Sequence, residues 1–479
     1  MLLTIDIGTS SFKSALWDYD GNRISFAAFP LLMNIGEGER YEAECSQWLR
    51  AFEDCCLKMG NLALVKAIVI SGHGPSLVPV LGEPSVGRSG LTLAAENARL
   101  WLDRGAVEYQ ERVSELMGGF VDAGFFLPKI LKIKNEEGEL YRRTKYFLGV
   151  PEYLAFALTG QARTVFPSDG FDRWFWNETV LEKLDMDAEK FPVFIRPGDT
   201  YGNLIPLVAE YFGFAKNVPV ITGGPDFFAA ILGSGVTEPG QACDRSGSSE
   251  GINLCTRNLI NDKRLMSYGH PVKPYWNLSG IINTTGKAIE WCGALFGISD
   301  IEDFFSLARE SKPGSGGLVF LPYLAGERAP VWDSSIRGVW RGIGLSSSRN
   351  DFANSVLESI GFAIRDVITA MGDAGGGTSA GQLRVTGGLA GNAALNQIKA
   401  DITGIEILQP VQKETELLGL AIIGSCFLGR FSALAEASSA MVRIEKHYEP
   451  NPKNKDLYDR LFNEYTESRR VLTPYSSNK

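Results

Sequence analysis

The chain has 479 residues, of which 44% are hydrophobic and 22% charged, with a formal net charge of −9 and a pI near 5.2. This length is more than one hydrophobic core fills, so two or three domains are expected, and the ordinary composition excludes a disordered chain. The acidic balance argues against nucleic acid or an anionic membrane as partner, both of which call for a basic footprint, and there is no apolar run of the roughly 18 residues a membrane span needs.

Met1-Leu2-Leu3 has no basic region ahead of it and runs straight into polar residues, which predicts a strand and not a signal peptide. The seven cysteines (45, 55, 56, 243, 255, 292 and 426) are odd in number and lack paired spacing; they are expected as small buried hydrophobes in a reducing cytoplasm. The three histidines are far apart, and no Cys or His cluster has the spacing of a transition-metal site.

The first element is an apolar strand, Thr4-Ile5-Asp6-Ile7, a turn, Gly8-Thr9-Ser10, and a second strand carrying Lys13. A turn of small hydroxylated residues leaves backbone N–H groups open to polyphosphate, and Asp6 is placed to hold Mg²⁺ through water. An ordinary hairpin with a polar turn accounts for the same residues.

Residues 46–59 read as a helix, capped by Ser46, with Trp48, Phe52, Cys55 and Met59 on one face and Gly60 as stop. Val65–Ser71 reads as a buried strand leading into Gly72-His73-Gly74-Pro75. Pro219–Thr222 is another strand and ends in Gly223-Gly224-Pro225-Asp226, ahead of a helical stretch, Phe227–Gly233. Asp226 could simply cap that helix.

A second hairpin over Ala242–Asn253, with Gly247-Ser248-Ser249 at its turn, echoes the first and suggests a duplicated unit. The division is placed at 1–235 and 236–479. A helix is expected over 351–371, a surface connection at the Gly-rich 375–381, and a single outer helix with a frayed end after about residue 443. Strands alternating with amphipathic helices make the class α/β.

Several segments carry a family resemblance. Leu127-Pro128-Lys129-Ile130-Leu131, Gly326-Glu327-Arg328-Ala329-Pro330-Val331-Trp332-Asp333 and Thr386-Gly387-Gly388-Leu389-Ala390-Gly391-Asn392 are three of them. The most specific is Gly338-x-x-x-Gly342-Ile343 followed, after seven intervening residues, by Asp351-Phe352-x-x-Ser355-Val356-Leu357-Glu358. From residue 1 to about 440 the chain resembles the FGGY family of carbohydrate kinases, which includes glycerol kinase, xylulokinase and ribulokinase.

The resemblance implies two RNase H-like domains of the actin and sugar-kinase ATPase type around a central cleft, the N-terminal one binding sugar and the C-terminal one ATP. It implies transfer of the γ-phosphoryl group of ATP, with Mg²⁺, to a hydroxyl of a small sugar or polyol, a ketopentose foremost. A homodimer is also implied, since many relatives are dimers.

Carried over residue by residue, Asp226 is the general base and Asp6 organises Mg²⁺. Thr9, Ser10, Lys13, Gly247 and Ser248 meet phosphates; Gly286 and Glu290 contact phosphate and ribose; Gly387, Gly388 and Asn392 hold adenosine. His73, Gly74, Trp101, Asp103 and Arg104 line the acceptor side.

The chain departs from the family pattern at Lys132, where tryptophan is usual, at Ser248 for threonine and at Glu290 for glutamine. It departs most at His73-Gly74-Pro75, where xylulokinases carry Gln, Met and His. A non-kinase ATPase or a sugar-sensing binding protein on the same fold is the alternative. Gly286-Lys287 lacks the residues and spacing of a Walker A loop.

Overall fold

The computed structural model describes residues 1–36, 40–88, 90–375 and 379–476, with side chains to residue 472. It divides into two units, Met1–Gly233 with Glu416–Met441, and Ser234–Thr415 with the chain from Val442 onward.

The first unit is built on a six-stranded sheet of β1 (Leu2–Ile7), β2 (Ser11–Trp17), β3 (Arg23–Pro30), β4 (Ala67–Gly72), β5 (Thr200–Asn203) and β6 (Pro219–Pro225), in the order β5-β6-β4-β1-β2-β3. β1, β2 and β3 are antiparallel neighbours, whereas β4 runs parallel to β1 and β6 parallel to β4. Side chains alternate across a strand, so Leu3, Ile5 and Ile7 share one face. With Ile68 and Ile70 they form a core against α1 (Ser46–Met59) and the helix Val150–Thr159.

Trp48, Phe52, Cys55 and Met59 are the buried stripe of α1, and Gly60 ends it with a positive φ of 86°. Cys45 occupies the N-cap without a side-chain capping bond, and the Ser46 hydroxyl donates instead to Glu44. The expected cap is therefore displaced by a local carboxylate.

On the opposite face lie α2 (Asp226–Gly233) and the helix Thr415–Phe427. The latter is buried on all sides through Leu417, Leu418, Leu420, Ala421 and Ile422, which is why residues 416–441 return to the first unit. A β-carbon at Gly419 would collide with the backbone of Ala229 in α2, so only glycine permits that approach. The division at 235/236 missed this return, because an apolar helix does not show in its own sequence which core it joins.

The second unit repeats the pattern. Its strands are β7 (Gln241–Ser246), β8 (Glu250–Thr256), β9 (Met266–Gly269), β10 (Trp276–Ile282), β11 (Gln382–Gly387), β12 (Glu406–Pro410) and β13 (Ile444–Tyr448), in the order β9-β10-β8-β7-β11-β12-β13. Here β10-β8-β7 are antiparallel and β7-β11-β12 parallel, matching β3-β2-β1 and β1-β4-β6. One face packs on α3 (Gly286–Leu295), α4 (Ile301–Arg309), α5 (Arg349–Asp373) and α6 (Ala393–Thr403).

The expected tail helix is present as Lys455–Ser476, but β13 precedes it, an edge strand whose Glu445, Lys446 and His447 are exposed and disguise it as a charged linker. Of the expected Gly-rich connection, residues 376–378 lie outside the described residues, as do residues 477–479 of the expected frayed end.

Candidate active site

In the first unit the candidate residues gather at the carboxyl ends of the parallel strands, where ligands of open α/β sheets bind. Asp6 of β1 is in register with Ser71 of β4, and Ser71 with Gly224 of β6. The turn Gly8–Ser10, the loop His73–Ser76 and the Gly223–Asp226 turn therefore leave one edge in one row. Asp6 is buried and directly opposite the half-buried Lys13 on β2, a pair of unlike charges on one face.

The Asp226 turn is shaped by its glycines. Gly224 has a φ of 74°, and a β-carbon there would stand 2.8 Å from Pro197; one at Gly223 would strike the Leu420 side chain. The register of β6 shifts between Thr222 and Gly224, which delivers Asp226 as the first residue of α2. Its carboxylate accepts the N–H of Phe227 at 2.6 Å. Phe171 stacks on Phe227, and its ring also meets Phe228 edge-on, which packs the start of the helix.

The acceptor-side loops are tied together by polar bonds. Trp101 donates its backbone N–H to Ser76 Oγ at 2.9 Å, and Ser76 Oγ lies 2.9 Å from His73 Nδ1. The serine accepts from Trp101 and also bonds His73 Nδ1, with the tautomer of His73 setting which of the two donates. Burial lowers the His73 pKa to about 4, against the opposing pull of Asp226, so the ring is neutral at pH 7. The Trp101 indole N–H donates to Thr9 Oγ1 at 3.0 Å and joins this loop to the phosphate turn.

Lys129, fully buried on the helix Phe126–Glu136, donates to the carbonyls of Pro75, Arg99 and Leu100 at 3.1, 3.3 and 2.6 Å. It clamps the two loops from behind. It sat inside a recognised motif but was not counted as functional; a lysine flanked by Leu127, Ile130 and Leu131 was the available signal.

Asp103 is placed in this region, but its carboxylate already accepts the N–H groups of Tyr41 at 3.0 Å and Gly105 at 2.9 Å. Arg104 donates to the Trp101 carbonyl at 2.9 Å and pairs with Asp122 at 3.3 Å. It borders a groove of about 790 Å³ that Arg40, Glu42 and Lys132 also line. Gly74 has open space where a side chain would stand.

In the second unit the turn Gly247–Ser249 sits on the N-terminus of α3. Gly286 N–H donates to the Gly247 carbonyl at 3.1 Å, and the N–H groups of Thr285 and Lys287 donate to the Ser248 carbonyl at 3.2 Å. A β-carbon at Gly286 would lie 2.5 Å from the Gly247 oxygen, so loop packing already requires this glycine. Gly387 (φ 87°) is required likewise by the Ser246 carbonyl, whereas Gly388 faces open space and could admit a flat ring.

Asn392 caps α6 by accepting the Leu395 N–H at 3.0 Å, which leaves its amide hydrogens for a ligand. Glu290 is exposed and paired with Lys287 at 3.0 Å. The Glu327-Arg328 pair supports this edge too: Glu327 accepts the Asn283 N–H at 2.8 Å and Arg328 Nε donates to Asn283 Oδ1 at 2.5 Å. Among the described residues no group of three or more His, Cys, Asp or Glu could cage a metal, and no helix is long and apolar enough to cross a membrane.

Two family models match: "FGGY family of carbohydrate kinases, N-terminal domain" over residues 1–233 and its C-terminal counterpart over residues 246–427. The chain is 27% identical to a xylulose kinase of Staphylococcus epidermidis, covering 97% of this chain and 95% of that one. Among solved structures it resembles a gluconate kinase from Lactobacillus acidophilus (TM-score 0.85, 22% identity, 100% and 99% covered). A xylulose kinase from the same organism is similar too (TM-score 0.84, 22% identity, both chains covered in full). With both halves matched in order, the chain belongs to the FGGY family of carbohydrate kinases and is a sugar kinase.

Proposed function

We propose that this kinase phosphorylates a ketopentose of the xylulose type with ATP as donor. The observation that carries the mechanism is Asp226, delivered by the Gly223-Gly224 turn to the strand edge that also bears Asp6 and the His73 loop. Asp226 accepts the proton of the attacking hydroxyl, and Thr9, Ser10 and Lys13 of the first unit orient phosphate oxygens. His73, neutral and held at Nδ1 by Ser76, and the Trp101 loop hold the acceptor, with Gly74 giving it room and Arg104 at its margin. Asp103 acts by shaping that loop.

In the second unit Gly247, Ser248, Gly286, Gly387, Gly388 and Asn392 form the nucleotide side, with Glu290 at its rim. Asp6 suits a Mg²⁺ that keeps its waters, because such an ion needs few carboxylates. That ion would neutralise phosphate charge as the γ-phosphoryl group moves, while positioning supplies the rest.

The xylulose kinase names of the curated relatives support the ketopentose, whereas His73-Gly74-Pro75 marks a grip of its own. The test is ADP formation from ATP and Mg²⁺ across ketopentoses, pentitols, glycerol, ketohexoses and aldonates. Asp226→Asn should bind ADP as the parent does and lose about 10²–10⁴ in kcat; retained turnover would remove Asp226 as the base.

A further inference from the structure

We propose that Asp244, Glu250 and Lys399 form a buried positioning triad that fixes the Gly247–Ser249 turn against α6, so that nucleotide affinity depends on a lysine that never touches the nucleotide. This rests on the assignment of the nucleotide to the second unit.

All three side chains are at or near zero exposure. Lys399, on α6, donates from Nζ to Asp244 Oδ2 at 2.6 Å, to Ser246 Oγ at 2.6 Å and to Glu250 Oε1. Ser246 donates in turn to Glu250 Oε1 at 2.6 Å. Asp244 and Ser246 stand on β7 and Glu250 on β8, so the ammonium grips both rails of the hairpin whose turn is Gly247–Ser249.

Two carboxylates facing one lysine in a dry interior cannot both be ionised. Burial and the neighbouring Glu250 charge hold the Asp244 carboxyl well above its usual range, and Lys399 keeps Glu250 below it despite burial. The stable arrangement is therefore a protonated Asp244 that donates to an ionised Glu250, with Lys399 charged. The triad is neutral overall. All three ammonium protons are used, so the lysine has none to offer a phosphate.

Apolar side chains would fill this space with less desolvation cost. What the ions add is direction: three fixed bonds set the height and rotation of the hairpin relative to α6. The same helix begins at the Asn392 cap, beside Gly387, which packs on the Ser246 carbonyl. Phosphate turn and adenosine segment are thus braced against each other through one side chain. A loop that must be ordered at the moment of binding gives up affinity.

The test compares the parent with Lys399→Met and with the double variant Lys399→Met/Glu250→Gln. The double variant leaves no ion in the cavity, because Asp244 is already neutral, and so keeps the test open should the single variant fail to fold. ADP binding is measured by calorimetry, and KM for ATP and for the acceptor by steady-state kinetics.

A folded variant is expected to bind ADP about tenfold or more weakly and to show a raised KM for ATP. The acceptor KM and kcat at saturating ATP should stay within about threefold. A folded variant that binds ADP as the parent does overturns the proposal while the nucleotide assignment stands. A parent chain that binds no ADP overturns the assignment, and the proposal with it.

Discussion

Ser76→Ala removes one oxygen that serves two loops. Ser76 is fully buried, accepts the Trp101 N–H at 2.9 Å and bonds His73 Nδ1 at 2.9 Å. Alanine orphans a buried backbone donor and a buried ring nitrogen, each costing about 1–3 kcal/mol, so a loss of about 2–6 kcal/mol is expected. Without this bond the His73 ring is no longer held at Nδ1, and its orientation toward the acceptor is lost.

The expected kinetic result is a fall of about 10–100-fold in kcat/KM for the acceptor, with KM for ATP within about threefold. Burial already keeps His73 neutral near pH 7, with its pKa at about 4, so the defect should persist unchanged from pH 6 to 8. Scanning calorimetry reads the stability, and acceptor titrations at several pH values read the rest. A variant as stable as the parent, with unaltered acceptor kinetics, would refute the relay.

Glu152 is buried with its pKa raised to about 7 by burial, from 4.5 in the unfolded chain. Both states bind its proton below pH 4.5; between 4.5 and 7 only the unfolded chain loses it, so stability falls by roughly 3 kcal/mol as pH rises through the folded value. Glu152→Gln should match the parent near pH 4 and exceed it by about that amount at pH 8; equal stability at both would contradict the assignment. Gly419→Ala drives a methyl group into the Ala229 backbone and should cost about 1–3 kcal/mol, lowering kcat as well because α2 begins with Asp226. Lys129→Met should cost about 1–3 kcal/mol, since it takes a buried N–H donor from the carbonyls of Pro75, Arg99 and Leu100, and should raise the acceptor KM more than the ATP KM. Equal changes in both would make Lys129 a general core residue.

Much of the architecture was legible because local pattern and tertiary role coincide. The buried stripe of α1, the apolar strands and the two hairpins announce themselves by periodicity, and the Gly-Gly-Pro-Asp turn by composition. Features that depend on distant partners were not legible. The helix after Thr415 is apolar on all sides and does not encode which core receives it. Lys399 meets Asp244 and Glu250 across about 150 residues, with nothing in either segment to announce the other. Gly286 and Gly387 were expected as ligand contacts, yet each is already required by a neighbouring carbonyl, so a glycine in a motif can have two reasons to be there.

The central claim, a kinase acting on a ketopentose, is tested most directly by the rate of ADP formation from ATP and Mg²⁺ with and without D-xylulose and its C5 relatives. The account predicts strong stimulation by one ketopentose, abolished in Asp226→Asn. Stimulation confined to an aldonate, glycerol or a ketohexose would contradict the assigned acceptor, and ATP turnover indifferent to every sugar would contradict the kinase mechanism built on Asp226.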